Sequence, residues 1–402
     1  MKIIERERYL SIIQQWLGKD LILVLTGQRR VGKSCLMKQL CDKVSSEGNV
    51  IYIDKEKHEY DDIANYKDLN EYVDSHLRKG EKNYILIDEV QDIAEFERSL
   101  RSYYSEPDTE IVVTGSNAKM LSSELTTLIG GRYKEIYVQP LSYTEFLTFH
   151  KKRDGDDALA DYIEYGGMPG LVTVGLDAAI APQYLKDIYS TTLLKDVVIR
   201  NRIRDVAFMD RLVHFMADNE GKLISASNIS KYMKSKGESL SVSVISNYQE
   251  MLAESYLVHR VSRYDLRGKR ILESNEKYYF EDNGIRNAIV GGTRDRDIEK
   301  VLENVVYQQL VRMGYGVYVG QLQAGEVDFV CSKPSGERVY VQVAYLIADD
   351  ATRKREFGNL KAIRDNYPKY VISLSPLVRH SDEDGIAHLH LRQFLKSGFE
   401  KD

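Results

Sequence analysis

The sequence has few cysteines and no long apolar run, and both shortages exclude whole classes of protein. Only Cys35, Cys41 and Cys331 occur in 402 residues, which is too few for a disulfide framework, and their spacing is not that of a zinc site. The longest purely aliphatic stretch, Leu21–Leu25, falls far short of the roughly 20 residues that a membrane-spanning helix needs. The first eight residues are charged where a secretory signal would be apolar. We therefore expect a cytoplasmic protein without a membrane span.

The chain also lacks a strong excess of one charge. Its 56 Lys and Arg against 61 Asp and Glu give a net charge of -5, so the chain as a whole is not a basic nucleic-acid binder. Hydrophobic residues make up 43% and charged residues 29%, which is an ordinary globular balance. Because 402 residues are too many for one core, we expect two to four compact units.

The first 140 residues alternate short apolar runs with helical patterns. The runs are continuous rather than alternating, as in strands that are buried on both faces of a parallel sheet. Helical segments lie between them, which predicts an α/β architecture of βαβ units. The predicted strands are Leu21–Leu25, Val50–Ile53, Tyr84–Ile87, Ile111–Val113 and Tyr133–Val138.

A glycine-rich loop follows the first predicted strand. Residues Gly27, Gln28, Arg29, Arg30, Val31, Gly32, Lys33 and Ser34 match G-x-x-x-x-G-K-[ST] without a gap. The glycines let backbone N–H groups surround a phosphate, and the helix that starts near Lys33 directs its positive end at the anion. Lys33 would neutralise the β- and γ-phosphates, and the Ser34 hydroxyl would bind Mg²⁺. Cys35, next in the helix, is counted with this loop and is expected to be a small buried residue.

Two carboxylates end the third predicted strand. The run Tyr84–Ile87 places Asp88 and Glu89 at the carboxyl end of the strand, beside the phosphate loop. Asp88 would hold Mg²⁺ and Glu89 would act as the general base for the attacking water. The alternative is an ordinary strand that ends in acidic residues.

The adjacent pair Asp88 and Glu89 resembles the acidic pair of the AAA+ ATPases. This resemblance is the basis for expecting ATP rather than GTP. The small polar residues Thr114, Ser116 and Asn117 resemble the sensor 1 site of that family, with Ser116 and Asn117 favoured. The alternative for each is a capping turn for the next helix. Arg132 is a candidate arginine finger, acting in cis or from a neighbouring subunit of a homo-oligomer, or else a surface arginine paired with Glu135.

More of the chain resembles one prokaryotic group of predicted AAA+ ATPases whose C-terminal half is a domain of unknown function. The resemblance rests on residues 26–33, 114–117, 131–133, 140–146 and 166–169, and more loosely on 277–284, 302–304 and 326–329. It implies an ATPase core over residues 1–141, a helical lid over 142–204, a winged-helix-like part over 205–281 and a restriction-endonuclease-like part over 282–402.

The last part also has the residues of a degenerate PD-(D/E)xK nuclease. Glu303 and Asp328 occupy two of the three acidic places, but Gln342 stands where a metal-binding carboxylate belongs and Ala344 where a lysine belongs. We therefore predict a nuclease-like fold that has lost hydrolysis, with Glu303 and Asp328 kept for structure, such as capping or pairing with arginines.

A local basic patch lies in the winged-helix-like part. It consists of Arg260, Arg263, Arg267, Lys269 and Arg270. Such a patch suits contacts with DNA phosphates, and the alternative is a solvated loop on a structural lid. Three functions follow: an ATPase that rearranges its C-terminal domains, a nucleotide-gated binding module with negligible turnover, and a residual nuclease.

Overall fold

The computed structural model describes residues 4–118, 130–237, 240–292, 297–323, 325–376 and 382–400. These divide into two compact units, the first made of the chain up to Gln139 together with Glu254–Tyr256, and the second of the remainder. No helix in the described ranges is long and apolar enough to cross a membrane.

The first unit is built on a five-stranded sheet in which every pairing is parallel. The strand order is β2-β3-β4-β1-β5, so β4 lies between β1 and β3. The elements are α1 (Glu7–Trp16), β1 (Ile22–Thr26), α2 (Lys33–Val44), β2 (Asn49–Asp54), α3 (Tyr66–His76), β3 (Asn83–Asp88), α4 (Phe96–Tyr104), β4 (Thr109–Thr114) and β5 (Tyr133–Tyr137).

Burial explains why these runs form the centre of a sheet. All residues of β1 and β3 are buried, because helices connect parallel strands across the faces of the sheet. The apolar side chains of β1 to β4 pack with those of α3 and α4 in one core. The five predicted strands are therefore all present, and their carboxyl ends share the edge at which ligands bind in α/β folds.

The second unit begins with helices. They are α5 (Tyr143–His150), α6 (Asp156–Tyr165), α7 (Leu171–Val174), α8 (Ala181–Thr191), a π-helical segment (Thr192–Ile199), α9 (Val206–Asp218), α10 (Ala226–Ser235) and α11 (Val242–Glu254), of which Glu254 clusters with the first unit. Local sequence defines several of the starts. In α5, for example, Ser142 and Glu145 form a reciprocal capping box.

An eight-stranded mixed sheet follows, in the order β12-β13-β11-β10-β9-β8-β6-β7. Its elements and the accompanying helices are β6 (Val258–Asp265), β7 (Arg270–Phe280), α12 (Asn283–Val290), α13 (Ile298–Arg312), β8 (Gly316–Leu322), β9 (Gly325–Ser332), β10 (Arg338–Ala344), α14 (Asp350–Lys361), β11 (Lys369–Ser373), β12 (Asp382–Glu383), β13 (Ile386–His390) and α15 (Leu391–Ser397).

The part predicted to be winged-helix-like contains a long hairpin. In it β7 begins at Arg270, which pairs with Asp265 of β6, and the pairing runs to Phe280 and Val258. Arg263, Tyr264 and Asp265 of β6 also pair in parallel with β8. The hairpin therefore belongs to the same sheet as the strands of the nuclease-like part. The finer boundaries at residues 204 and 281 stay predictions.

Candidate nucleotide-binding site

The loop between β1 and α2 has backbone angles that favour glycine. Gly27 has φ 139° and Gly32 has φ 100°, both in the region that side chains rarely adopt. A Cβ atom at Gly27 would lie 2.2 Å from the Val138 carbonyl oxygen, so no larger residue fits there. Arg30 also has a positive φ of 72°. The loop therefore turns sharply just before α2, whose amino end directs its N–H groups toward the loop.

Lys33, the first residue of α2, points its ammonium into this loop. The Nζ atom donates to the carbonyl oxygens of Gly27 at 2.9 Å and of Gln28 at 3.1 Å. Lys33 is only 4% exposed, so the side chain is held in one place by neutral acceptors. This arrangement fixes a positive charge inside a ring of backbone, which suits a phosphate chain.

Arg6 supports the loop from behind, and sequence reasoning missed it. Its Nη1 atom donates to the carbonyls of Val31 at 3.0 Å and Gln139 at 2.9 Å, and the residue is buried. The guanidinium also lies 4.5 Å from the centre of the Tyr9 ring. The sequence gives no signal for this role, because a charged amino-terminal segment does not show that one of its arginines is buried in the fold.

Asp88 ends β3 and is completely buried among hydroxyl groups. Thr114, at the end of the intervening strand β4, donates its hydroxyl to Asp88 Oδ1. Ser34 also hydrogen-bonds this carboxyl, and the Tyr52 hydroxyl lies 3.5 Å from Oδ2. Burial raises the pKa of Asp88, although the bonds from Thr114 and Ser34 act in the lowering direction. A cation beside this carboxylate would favour its charged form.

Glu89 follows Asp88 in an uncommon backbone conformation. Its φ of 55° and ψ of 51° are left-handed, which is strained for a residue with a side chain and is typical of functional positions. The Glu89 N–H donates to the Thr114 hydroxyl oxygen at 2.9 Å, and its carboxylate accepts from Gln91. Thr114 therefore bridges the two acidic residues, accepting from one and donating to the other.

The oxygen groups beside the loop fit Mg²⁺. The Ser34 hydroxyl and the Asp88 carboxylate converge, and such oxygens are the ligands that Mg²⁺ prefers when phosphates supply the rest. In the described parts of the chain no group of three or more His, Cys, Asp or Glu side chains forms a complete metal site. When bound, Mg²⁺ neutralises phosphate charge.

The remaining loop residues divide into buried and exposed. Gln28 is completely buried, and neither polar atom of its amide has a hydrogen-bond partner among the described residues. Arg29 pairs with Glu56 at 3.4 Å. Cys35 is exposed, so the expectation of a buried thiol was wrong. It was wrong because this first turn of α2 turns one side chain away from the sheet.

The candidate sensor residues lie at the same sheet edge. Thr114 and Ser116 are fully buried and Asn117 is 4% exposed. Thr114 contacts the Asp88 carboxylate and the Glu89 N–H, because β4 lies next to β3 in the sheet. The sensor role for which sequence reasoning favoured Ser116 and Asn117 stays a prediction.

Arg132 lies away from these residues. It precedes β5, whose first residue Tyr133 pairs with Ile22 at the amino end of β1, whereas the phosphate loop follows the carboxyl end. Its guanidinium lies over the Tyr104 ring, 5.4 Å from the centre. The two ends of β1 are separated by five residues of strand, a distance of about 16 Å at 3.3 Å per residue. This placement argues against a contact in cis.

The acidic residues of the nuclease-like part are brought together, but around a lysine. Glu303 and Asp328 both lie next to Lys277 of β7, a partner that sequence reasoning, which suggested arginines, did not identify. Gln342 donates to Glu356 at 3.1 Å, and its Oε1 accepts from the Asp328 N–H at 3.3 Å. Gln342 therefore serves as a link between neighbouring side chains and backbone.

The basic patch lies along the β6–β7 hairpin. Arg260 pairs with Glu276 at 3.6 Å and Arg270 with Asp265 at 4.0 Å. Arg267, Lys269 and Arg270 are exposed at the tip. The tip thus presents cationic side chains to solvent, while the base of the hairpin is partly neutralised.

Comparison with known proteins agrees with this geometry. An AAA domain family matches residues 19–147, and a domain of unknown function, DUF8612, matches residues 156–296. An uncharacterized protein of Haemophilus influenzae is 35% identical over 98% of both chains. An uncharacterized protein of Methanocaldococcus jannaschii is 27% identical over 90% of this chain and 82% of its own.

A similar fold is also found among solved structures. A Walker-type ATPase of Pyrococcus abyssi superposes with a TM-score of 0.52 at 16% identity, covering 71% of this chain and 96% of its own. At that identity the likeness shows the fold alone. Together with the full-length relative, it confirms the expected α/β fold with the parallel sheet of P-loop NTPases. The chain belongs to the family of predicted AAA+ ATPases that carry a C-terminal domain of unknown function.

Proposed function

We propose that this protein binds ATP with Mg²⁺ and hydrolyses it, and that hydrolysis drives a rearrangement of its C-terminal domains. The observation that carries the proposal is the meeting of three elements at one sheet edge. Lys33 begins α2 directly after the loop that follows β1, and Asp88 ends β3 with Glu89 next in the chain. Thr114 of β4 bonds both the Asp88 carboxylate and the Glu89 N–H. This arrangement supports the use of Lys33 for phosphate, Asp88 for metal and Glu89 for water.

Each residue then has one role. Backbone N–H groups of the loop and the Lys33 ammonium bind the phosphate oxygens. Ser34 and Asp88 would hold Mg²⁺, which supplies charge neutralisation to the phosphates. Glu89 orients the attacking water and accepts its proton. Asn117 and Ser116 lie at the same edge and would hold the water or the γ-phosphate in line.

The test is steady-state ATP turnover by wild type, Glu89→Gln and Lys33→Ala, with binding measured by calorimetry in Mg²⁺. Glu89→Gln should bind ATP as wild type does and lose about 10²–10⁴-fold in turnover, because the amide cannot accept the proton. Lys33→Ala should lose binding. Equal phosphate release by all three proteins would reject the mechanism, and no heat with wild type would reject the site.

A second function is a nucleotide-gated binding module with negligible turnover, which uses ATP to hold one domain arrangement. The position of Arg132 favours this second function. Without an arginine finger in cis, turnover by a chain of this type depends on a neighbouring subunit. The exposed tip Arg267, Lys269 and Arg270 suits DNA phosphates. Duplex binding with and without ATP over a salt series separates the two functions, and binding that does not weaken with salt would remove the DNA version.

A further inference from the structure

The second unit holds a cluster of carboxylates around one buried ammonium. Lys277 Nζ lies 2.8 Å from Glu303 Oε1, 2.5 Å from Glu326 Oε1 and 3.9 Å from Asp328 Oδ1. The lysine side chain is 4% exposed, and those of Glu303 and Asp328 are 14% and 13% exposed. Three acidic residues from two elements, α13 and β9, thus converge on a lysine from a third, β7.

Further contacts fix the Glu303 and Asp328 carboxylates in place. The Tyr279 hydroxyl donates to Glu303, and the Val343 N–H donates to Asp328 Oδ2 at 2.8 Å. Gly221 lies against Glu303, since a Cβ there would be 3.2 Å from Oε2. The Glu303 and Asp328 carboxylates are therefore held beside the Lys277 ammonium.

The expected nuclease-like metal does not fit this arrangement. A divalent ion would need the position that the Lys277 ammonium occupies, and two positive charges so close would repel strongly. Gln342 and Ala344 also lack the charges that complete such a centre, and the Gln342 amide already bonds Glu356. No step of metal-dependent hydrolysis follows from these residues.

We infer that Lys277 is a resident internal cation, which occupies the cation position formed by Glu303, Glu326 and Asp328 and so excludes divalent metals from it. The lysine comes from the β6–β7 hairpin, outside the predicted nuclease-like part, and its ammonium joins that hairpin to α13 and β9. The pKa of Lys277 is raised by these carboxylates despite burial, so the ammonium stays charged. The site needs no metal, and removal of the lysine opens it to one.

The test uses Mn²⁺ alone, without nucleotide, on the full chain. Wild type should show no Mn²⁺ binding at this cluster by electron paramagnetic resonance and the same unfolding midpoint in Mn²⁺ and in EDTA. Lys277→Ala should unfold earlier in EDTA, bind one Mn²⁺, and regain roughly 5 °C in the metal. Adding Asp328→Asn to Lys277→Ala should abolish the Mn²⁺ response.

Lys300→Ala is the matched control, because Lys300 bonds Asp297 at 2.7 Å in the same unit. It should unfold earlier with no recovery in Mn²⁺. Absence of Mn²⁺ binding by a folded Lys277→Ala would overturn the inference. If that variant does not fold, the wild type decides the question. Mn²⁺ binding or Mn²⁺-dependent plasmid nicking by the wild type, where Asp328→Asn removes it, would overturn the inference. A wild type that shows neither would support it.

Discussion

Two buried lysines, one in each unit, have different partners and therefore different uses. Lys33 and Lys277 are 4% and 3% exposed. Lys33 donates to the neutral carbonyls of Gly27 and Gln28 in the loop that precedes α2. Lys277 is oriented by three carboxylates, which neutralise its charge within the fold. A buried lysine thus indicates a ligand site or a structural centre according to the charge of its acceptors.

Exchanging each lysine for methionine gives the largest expected effect and tests this contrast directly. Lys277→Met leaves buried carboxylates without their cation, so the second unit should lose about 3–5 kcal/mol of unfolding free energy. Lys33→Met removes hydrogen bonds to neutral carbonyls and should cost the first unit about 1 kcal/mol. Circular dichroism in denaturant measures both, and the single tryptophan, Trp16, reports the first unit by fluorescence.

The same pair should show the reverse order in nucleotide binding. Lys33→Met should weaken ATP binding about 100-fold or more, because a charge-assisted contact to phosphate is lost. Lys277→Met should leave the affinity within twofold of wild type where the protein is folded. Equal losses of stability in the two variants would show that acceptor charge does not separate the two sites.

A smaller effect is expected at His388, a buried base of the second unit that stays neutral. Its Nε2 atom hydrogen-bonds Ser373 at 2.8 Å, and burial lowers the pKa of His388 to about 4 from the usual 6.5. The unfolded chain therefore binds a proton more readily than the folded chain between these values. Stability from this residue is complete above pH 6.5 and is lost as the pH falls, by about 2 kcal/mol at pH 5.

His388→Gln removes the titrating group while keeping an amide that bonds Ser373. Denaturant unfolding at pH 7.5 and pH 5 should show an acid-dependent loss about 2 kcal/mol smaller in the variant than in wild type. A variant with the same acid-dependent loss as wild type would mean that the ring is charged in the fold.

Sequence patterns predicted the first unit better than the second. Continuous apolar runs and a gap-free G-x-x-x-x-G-K-S are local, so the strands and the loop from Gly27 to Ser34 could be placed without knowing the fold. Partners that come from distant parts of the chain could not be placed. Arg6 reaches Val31 across 25 residues, and Lys277 reaches Glu303 and Asp328 from another element.

The same limit applies at the end of β4 and at Arg132. Thr114, Ser116 and Asn117 are all small and polar, so composition alone cannot show that Thr114 contacts Asp88. That contact depends on β4 lying next to β3. The direction of β5, which puts Arg132 at the opposite end of the sheet, likewise follows from pairing and not from the sequence around Gly131.

The smallest effect is expected at Thr114. Its neutral hydroxyl links neighbouring residues of the first site, as the Lys277 ammonium links those of the second. Thr114→Val keeps the shape but removes the donor to Asp88 and the acceptor for the Glu89 N–H. Turnover should fall about tenfold, or about 1.4 kcal/mol in the barrier, with more Mg²⁺ needed for half-maximal rate. ATP affinity in EDTA should be unchanged, because the hydroxyl contacts the Asp88 carboxylate and the Glu89 N–H and not the loop. Thr114→Ser should keep wild-type turnover, and a Thr114→Val protein with that same turnover would show that the bridge between Asp88 and Glu89 does not position them.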